Sequence, residues 1–315
     1  MIFKRKVYAK LIEWKTLAAG TSAVLLEGAR RIGKSTIVEE FAKKEYDDYM
    51  ILDFARENQD VKNNFVENMN DLDTFFRNLF LLKGKSLKGK NCVIIFDEVQ
   101  LFPQARQAIK YLVADGRYEY IETGSLISIR KNVKDILIPS EEYRIKMYPM
   151  DFEEFMIANN VSKTTLEMLK AKFETCQPVD EFIHQKLLSL FFIYLIVGGM
   201  PDAVKIYIAT KDIREVDKVQ RDIVALYKED FSQYESEDKK LKLISIYDII
   251  PAELNKQNKK FVFTMLNKEL KFDRYENSFL WLKDAGVALP VYNVEAPVIP
   301  LKASKSSNVF RLFSN

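Results

Sequence analysis

The sequence predicts an α/β fold built on a parallel sheet, followed by a helical lid and a winged-helix-like module. Five short apolar runs alternate with helix-like segments over residues 1–150, which is typical of a parallel sheet. The run at 92–97 is apolar up to its final aspartate, as expected for a central strand covered on both faces. After Pro149 the apolar residues take helical spacing, and a hairpin pattern follows near the end of the chain.

The predicted elements follow one another along the chain. Strands are expected at 23–27, 49–53, 92–97, 118–123 and 143–148, with helices at 36–44 and 104–114. Apolar residues at helical spacing over 152–208 predict a helical subdomain, and another helical segment starts at Asp217. A helix at 275–286 precedes a predicted hairpin of 287–294 with 296–301. These patterns predict domains at 1–150, 151–216 and 217–315.

The composition excludes several classes of protein. The 315 residues include 48 Lys and Arg and 45 Asp and Glu, so a net charge of +3 argues against a strongly basic nucleic-acid coat protein. With two cysteines and one histidine, a disulfide scaffold, a structural zinc site and any two-histidine mechanism are excluded. No secretory signal is visible, and the uncharged run at 187–201 is shorter than a membrane span of about 20 residues. We therefore expect a cytoplasmic protein without membrane contact.

A glycine-rich phosphate-binding motif lies between the first predicted strand and the first predicted helix. Residues 28–35 read Gly-Ala-Arg-Arg-Ile-Gly-Lys-Ser, which matches G-x-x-x-x-G-K-[ST]. The glycines let backbone N–H groups curl around phosphate oxygens, and the helix N-terminus adds positive potential. We expect Lys34 to reach the β and γ phosphates, with a solvent-facing side chain when no ligand is bound, and Ser35 to ligate Mg²⁺. The predicted nucleotide-binding residues of this segment are Gly28, Ala29, Arg30, Arg31, Ile32, Gly33, Lys34, Ser35 and Thr36.

Acidic and polar residues follow two other predicted strands. Asp97 ends the strand at 92–97 and is expected to hold Mg²⁺, while Glu98 is expected to activate the attacking water as a general base. Gln100 is a further candidate for orienting that water. Thr123 ends the predicted strand at 118–123, and Ser125 follows two residues later. These two residues either contact the γ phosphate or the water, or they belong to an ordinary strand-to-loop turn.

These motifs resemble those of prokaryotic AAA-like P-loop ATPases that carry a C-terminal domain of unknown function. The resemblance includes Asp-Glu-x-Gln at 97–100, Thr-Gly-Ser at 123–125, the segment at 147–155 and Gly-Gly-Met-Pro at 198–201. It implies that Pro201 packs near the adenine. It also implies an arginine near Arg144 that acts in catalysis, in the same chain or in a neighbouring one, or that has only a structural role. It also implies a continuation into a nuclease-like fold, so we expect the C-terminal domain, which stops at Asn315, to be truncated.

Several assignments are left open by the sequence. Arg30, Arg31 and Arg130 are other candidates for stabilising charge on the transferring phosphoryl group. Arg5 and Tyr8 precede the first strand and are expected either to flank the base or only to pack.

The function expected from the sequence is ATP binding and hydrolysis with Mg²⁺. The alternative is a slow nucleotide-gated switch whose winged helix binds DNA or a protein partner. Lys259, Lys260 and the basic stretch 268–271 are then either phosphate contacts or only a solvated helix face. A third reading is an inactive remnant. ATP-dependent self-association is implied by the resemblance.

Overall fold

A computed structural model describes residues 2–125, 140–234, 237–257, 261 and 276–314. The chain separates into two compact units, Met1–Ile213 and Arg214–Asn315. The first unit therefore includes the predicted nucleotide domain and nearly all of the predicted lid. The finer division at 150 and 216 stays a prediction. None of the described helices has the length and apolar character needed to cross a membrane.

The first unit is organised around one parallel sheet of five strands, so the predicted α/β fold is confirmed. The strands are β1 (Ala23–Gly28), β2 (Asp48–Asp53), β3 (Cys92–Asp97), β4 (Glu119–Ser125) and β5 (Glu142–Lys146). They lie in the order β2-β3-β4-β1-β5, and every neighbouring pair is parallel. Because the strands are parallel, the carboxyl ends of β1, β3 and β4 lie at one edge of the sheet, where ligands of such sheets bind. The glycine-rich motif follows β1 at this edge.

Helices cover both faces of the sheet. They are α1 (Val7–Leu17), α2 (Lys34–Glu45), α3 (Gln59–Glu67), α4 (Leu72–Lys83) and α5 (Pro103–Asp115). The apolar side chains of α3, α4 and α5 pack with alternate residues of β1 to β4 in one core, which includes Phe65, Phe96 and Phe102. Helices α1 and α2 pack on the sheet from the other side. We did not predict α1, although Val7, Leu11 and Trp14 recur on one face and are buried.

Four more helices complete the first unit. They are α6 (Phe152–Ala158), α7 (Lys163–Glu174), α8 (Glu181–Val197) and α9 (Pro201–Thr210), which agrees with the helical pattern predicted for 152–208. Helix α6 begins with a capping box in which Asp151 and Glu154 each accept a backbone N–H of the other. The backbone before α9 packs against that before α6, because the N–H of Met150 donates to the Gly199 carbonyl at 2.7 Å. This contact fixes the start of α9 relative to the sheet.

The second unit contains helices followed by an antiparallel hairpin. Its described elements are α10 (Ile213–Tyr234), α11 (Glu237–Asn255), α12 (Glu276–Asp284), β6 (Ala288–Val294) and β7 (Lys305–Ser314). The predicted second strand at 296–301 is wrong, since the strand paired with β6 is β7. Pro297 and Pro300 lack the N–H groups that a sheet ladder requires, and in β7 Phe310 and Leu312 are buried. The winged-helix assignment stays a prediction.

Candidate functional site

The glycine-rich segment forms a tight loop between β1 and α2. Gly33 precedes the first residue of α2 and has a φ of 90°, a conformation that glycine adopts without steric cost. Gly28 is required for another reason, because a Cβ atom there would lie 2.4 Å from the Met147 carbonyl oxygen. Ala29 and Ile32 are buried, Arg30 is half-buried, and Arg31 is exposed. The two glycines therefore allow a tight turn between the end of β1 and the start of α2.

Lys34 is buried rather than solvent-facing, so our expectation for its side chain without ligand is wrong. Its Nζ atom donates to the carbonyl oxygens of Gly28 at 3.1 Å and Ala29 at 2.8 Å. Burial lowers the pKa of Lys34 to about 8, although Glu98 and Asp97 act in the opposite direction. The ammonium group thus lies inside the loop, held by two backbone acceptors.

Asp97, the last residue of β3, is hydrogen-bonded to the start of α2 and to the carboxyl end of β4. Its Oδ1 atom accepts a hydrogen bond from the Ser35 hydroxyl at 2.8 Å and another from the hydroxyl of Thr123. Thr123 is fully buried, and its hydroxyl also accepts the N–H of Glu98 at 3.3 Å. Two oxygen atoms of the kind that Mg²⁺ prefers, on Ser35 and Asp97, therefore lie within hydrogen-bond distance of one another.

Glu98 directly follows β3, and its backbone N–H is hydrogen-bonded to Thr123 of β4. It adopts a φ of 53°, an uncommon conformation for a residue with a side chain, which marks a position fixed by its surroundings. Its carboxylate accepts a hydrogen bond from the side-chain amide of Gln100. Gln100 is buried, and its Oε1 atom accepts the backbone N–H of Ser125 at 3.3 Å. Gln100 therefore orients Glu98 against the end of β4.

An open cavity of about 360 Å³ lies in front of the glycine-rich loop. Among the predicted site residues, its lining includes Arg31, Gly33, Lys34, Ser35, Thr36, Glu98 and Pro201. Apolar side chains of Ile2, Phe3 and Ile37 also line it. The cavity thus combines one polar wall, formed by the loop and Glu98, with apolar side chains and a proline ring.

Other predicted residues lie outside this lining. Thr123 and Ser125 are buried behind it, so their contact with phosphate stays a prediction. Arg144 lies in the edge strand β5, where its half-exposed guanidinium pairs with Glu142 at 3.2 Å. Its catalytic role stays a prediction, and the lining described here does not include it. Tyr8 donates to Glu45 at 2.6 Å rather than lining the cavity. Arg130 lies outside the described residues.

Sequence reasoning missed part of the site. Asp202 and Lys205, on the first turns of α9, line the cavity, and Asp202 lies 4.0 Å from the guanidinium of Arg31. Arg5, which we expected from the sequence either to flank the base or only to pack, also lines the cavity, with a side chain that is only 6% exposed. The Pro-Asp pair that starts α9 is a helix-start signal that could have located Asp202. No local pattern identifies the partners of Arg5.

The residues present fit a nucleoside triphosphate with Mg²⁺. The loop presents a helix N-terminus and a buried ammonium group, which are complementary to phosphate charge. Ser35 and Asp97 supply two protein oxygens, which matches the few protein ligands that Mg²⁺ takes when phosphates complete its shell.

Comparisons with known families agree with this site. Residues 20–156 match an AAA domain, and residues 188–314 match a domain of unknown function, DUF8612. A search of curated protein sequences finds no significant match.

Three solved structures illustrate the similarity of fold. A Walker-type ATPase of Pyrococcus abyssi aligns over 99% of this chain and 94% of its own, with 13% identity and a TM-score of 0.50. The RuvB Holliday junction branch migration motor of Thermotoga maritima aligns over 91% of this chain and 89% of its own, with 14% identity and a TM-score of 0.37. The ADP complex of Saccharomyces cerevisiae Hsp104 aligns over 90% of this chain and 38% of its own, with 16% identity and a TM-score of 0.39. The first similarity supports the fold, and the other two are too weak to carry an argument.

Proposed function

Because this chain contains an AAA-type P-loop ATPase domain joined to a domain of unknown function, we propose that it binds ATP with Mg²⁺ and hydrolyses it in the cavity before the glycine-rich loop. The observation that carries the proposal is the meeting of Lys34, Ser35 and Glu98 on one wall of that cavity, with Asp97 directly behind Ser35. These side chains come from one strand end and one helix start. Their chemistry is that of phosphate binding and water activation.

Lys34 has the role of neutralising the β and γ phosphates. Its present acceptors are two carbonyl oxygens of the loop, and a phosphate oxygen is a stronger acceptor for an ammonium group than a neutral carbonyl. Bound phosphate also favours the charged form of Lys34, which opposes the lowering of its pKa by burial. Nucleotide binding should therefore take up protons near pH 8, where Lys34 is partly neutral.

Ser35 and Asp97 have the role of holding Mg²⁺. When bound, the ion would neutralise phosphate charge and help to position the substrate. Thr123 keeps the Asp97 carboxylate at the end of β3 by donating to it from the neighbouring strand β4. The hydroxyl of Ser35 is exposed and already directed at Asp97, so little side-chain rearrangement is needed.

Glu98 has the role of general base. Gln100 holds one of its carboxylate oxygens, and the side chain also lines the cavity. A positioned general base contributes about 10²- to 10⁴-fold in rate.

The nucleobase of the bound nucleotide would lie towards Pro201, where Ile2, Phe3 and Ile37 offer apolar contacts.

The alternative function is a slow nucleotide-gated switch with a DNA or protein partner. Lys259, Lys260 and 268–271, the expected phosphate contacts, lie outside the described residues. A DNA-binding module would lose affinity steeply with salt, and charge reversal at Lys259 and Lys260 would abolish binding. Single-turnover phosphate release separates enzyme from switch, since a switch releases phosphate far more slowly than any cellular cycle.

The proposed function is tested by calorimetric titration of the full chain with ATP, with and without Mg²⁺, together with phosphate release. We expect Mg²⁺-dependent binding and multiple turnovers. Binding without turnover favours the switch, and no binding of ATP with Mg²⁺ supports the inactive remnant. Mass measurement with and without ATP tests the predicted self-association.

A further inference from the structure

The guanidinium of Arg5 connects three segments that are far apart in the chain. Its Nη1 atom donates to the Ile32 carbonyl at 2.8 Å, and Nη2 donates to the Tyr148 carbonyl at 2.6 Å. Its Nε atom donates to Glu154 at 3.1 Å, within an ion pair whose two side chains are each 6% exposed. All five N–H groups of a guanidinium lie in one plane, so a single arginine can serve three acceptors in fixed directions.

Each of these acceptors belongs to a segment that shapes the candidate site. Ile32 directly precedes Gly33, whose conformation sets the start of α2. Tyr148 lies in the segment after β5, two residues before Met150, which bonds to Gly199. Glu154 caps α6, and its second oxygen accepts the Lys6 N–H at 2.6 Å. The hydrogen bonds of Arg5 therefore link the glycine-rich loop to the segment at 148–150, which is in turn hydrogen-bonded to the backbone just before Pro201.

We propose that Arg5 is a positioning residue that holds the phosphate-binding loop in its binding conformation and couples it to the segment at 148–154. This inference rests on the proposed function for its effect on nucleotide affinity. Arg5 acts through the Ile32 carbonyl on the loop, and the loop acts on the phosphates. Its loss should therefore weaken the binding of any ligand held by its phosphate chain, with or without a base.

The main variant is Arg5→Lys, which keeps the positive charge opposite Glu154 but replaces the planar fork by one compact ammonium group. Arg5→Ala is the second variant, and Lys6→Ala is the matched control. The Lys6 side chain pairs with Asp151 and Glu153 at the surface, so its removal changes charge nearby without touching the loop. Melting temperature and circular dichroism verify that each variant folds.

The first measurement is calorimetric titration with ATP-Mg²⁺ and with inorganic tripolyphosphate, which has no base. We expect Arg5→Lys to raise the Kd for both ligands by about tenfold, as for loss of a charge-assisted hydrogen bond, and Lys6→Ala to leave both unchanged. We also expect KM to rise much more than kcat falls. If Arg5→Lys lost affinity for ATP but bound tripolyphosphate as tightly as the wild type, Arg5 would act on the nucleobase, and the inference would be overturned. Wild-type affinity for both ligands would also overturn it.

The second measurement is hydrogen exchange without nucleotide, which does not depend on the proposed function. In Arg5→Lys we expect faster exchange in peptides covering 29–37 and 148–156, and in Lys6→Ala no change in the peptide covering 29–37. Unchanged exchange in both peptides overturns the coupling. If the wild type bound neither ATP nor tripolyphosphate, the proposed function would fail while this measurement still decided whether Arg5 fastens the two segments.

Discussion

The hydroxyl of Ser35 donates a hydrogen bond to the Asp97 carboxylate across 2.8 Å, although the two residues are separated by 62 positions. Ser35 lies in the first turn of α2, and Asp97 is the last residue of β3. The pair brings two oxygen ligands together at the edge of the sheet where the glycine-rich loop ends.

The Mg²⁺ dependence of ATP binding should depend on this pair. We expect Ser35→Ala and Asp97→Asn to remove most of the gain in ATP affinity that Mg²⁺ provides in the wild type, because each variant loses one oxygen ligand. Ser189→Ala, in the exposed part of α8, is the control. The measurement is the Kd for ATP with Mg²⁺ and with EDTA. An unchanged ratio of the two constants in both variants would contradict the assignment.

Replacing Lys34 should affect both ligand affinity and stability. Lys34→Ala removes the charge that neutralises the phosphates, so we expect the Kd for ATP to rise by more than about tenfold. It also leaves the Gly28 and Ala29 carbonyls without their donor, which should cost about 1 to 3 kcal/mol of unfolding free energy. Removal of a charge whose pKa is lowered by burial offsets part of this loss. Lys44→Ala, an exposed lysine on the same helix, is the control. Titration and urea unfolding check both effects, and wild-type ATP affinity in the variant would exclude the role of Lys34.

Glu98→Gln should separate binding from hydrolysis. The amide keeps the size of the side chain but removes its basicity, so we expect kcat to fall by about 10²- to 10⁴-fold while ATP affinity persists. If ATP promotes self-association, this variant should accumulate the assembly. Glu13→Gln, an exposed carboxylate on α1, is the control. Phosphate release at wild-type rate in Glu98→Gln would mean that another residue activates the water.

Glu122 should make stability depend on pH. It is fully buried in β4, and burial and the neighbouring Glu142 raise its pKa well above the ordinary value, against the effects of Arg106 and Arg144. Both of its carboxylate oxygens lack a hydrogen-bond partner among the described residues. Because the folded state holds this proton more tightly than the unfolded state, the free energy of unfolding falls as pH rises from the unfolded pKa towards the folded pKa.

The variant Glu122→Gln cannot ionise and should remove this dependence. We expect it to gain stability relative to the wild type as pH rises from 4 to 8. Urea unfolding is followed by the fluorescence of Trp14 in a Trp281→Phe background, since the two tryptophans lie in different units. Glu13→Gln serves as the control. A difference between Glu122→Gln and the wild type that is constant over this pH range would contradict the assignment.

The sequence by itself determined the parallel sheet and the location of the nucleotide motif. The strand Cys92–Asp97 follows from a short run that is apolar up to its final aspartate, as expected for a strand covered on both faces. The glycine-rich loop follows from local requirements, because the backbone at Gly33 needs a conformation that favours glycine. Such features depend on a few neighbouring residues, so a single sequence is enough to predict them.

The tertiary structure alone decided which distant groups meet and which charges are buried. Arg5 and Glu154 pair across 149 positions, and nothing near either residue in the chain indicates the other. The burial of Lys34 and the pairing of β6 with β7 were predicted incorrectly for the same reason. Burial and long-range pairing are set by how complete elements pack against each other, and local periodicity does not contain that information.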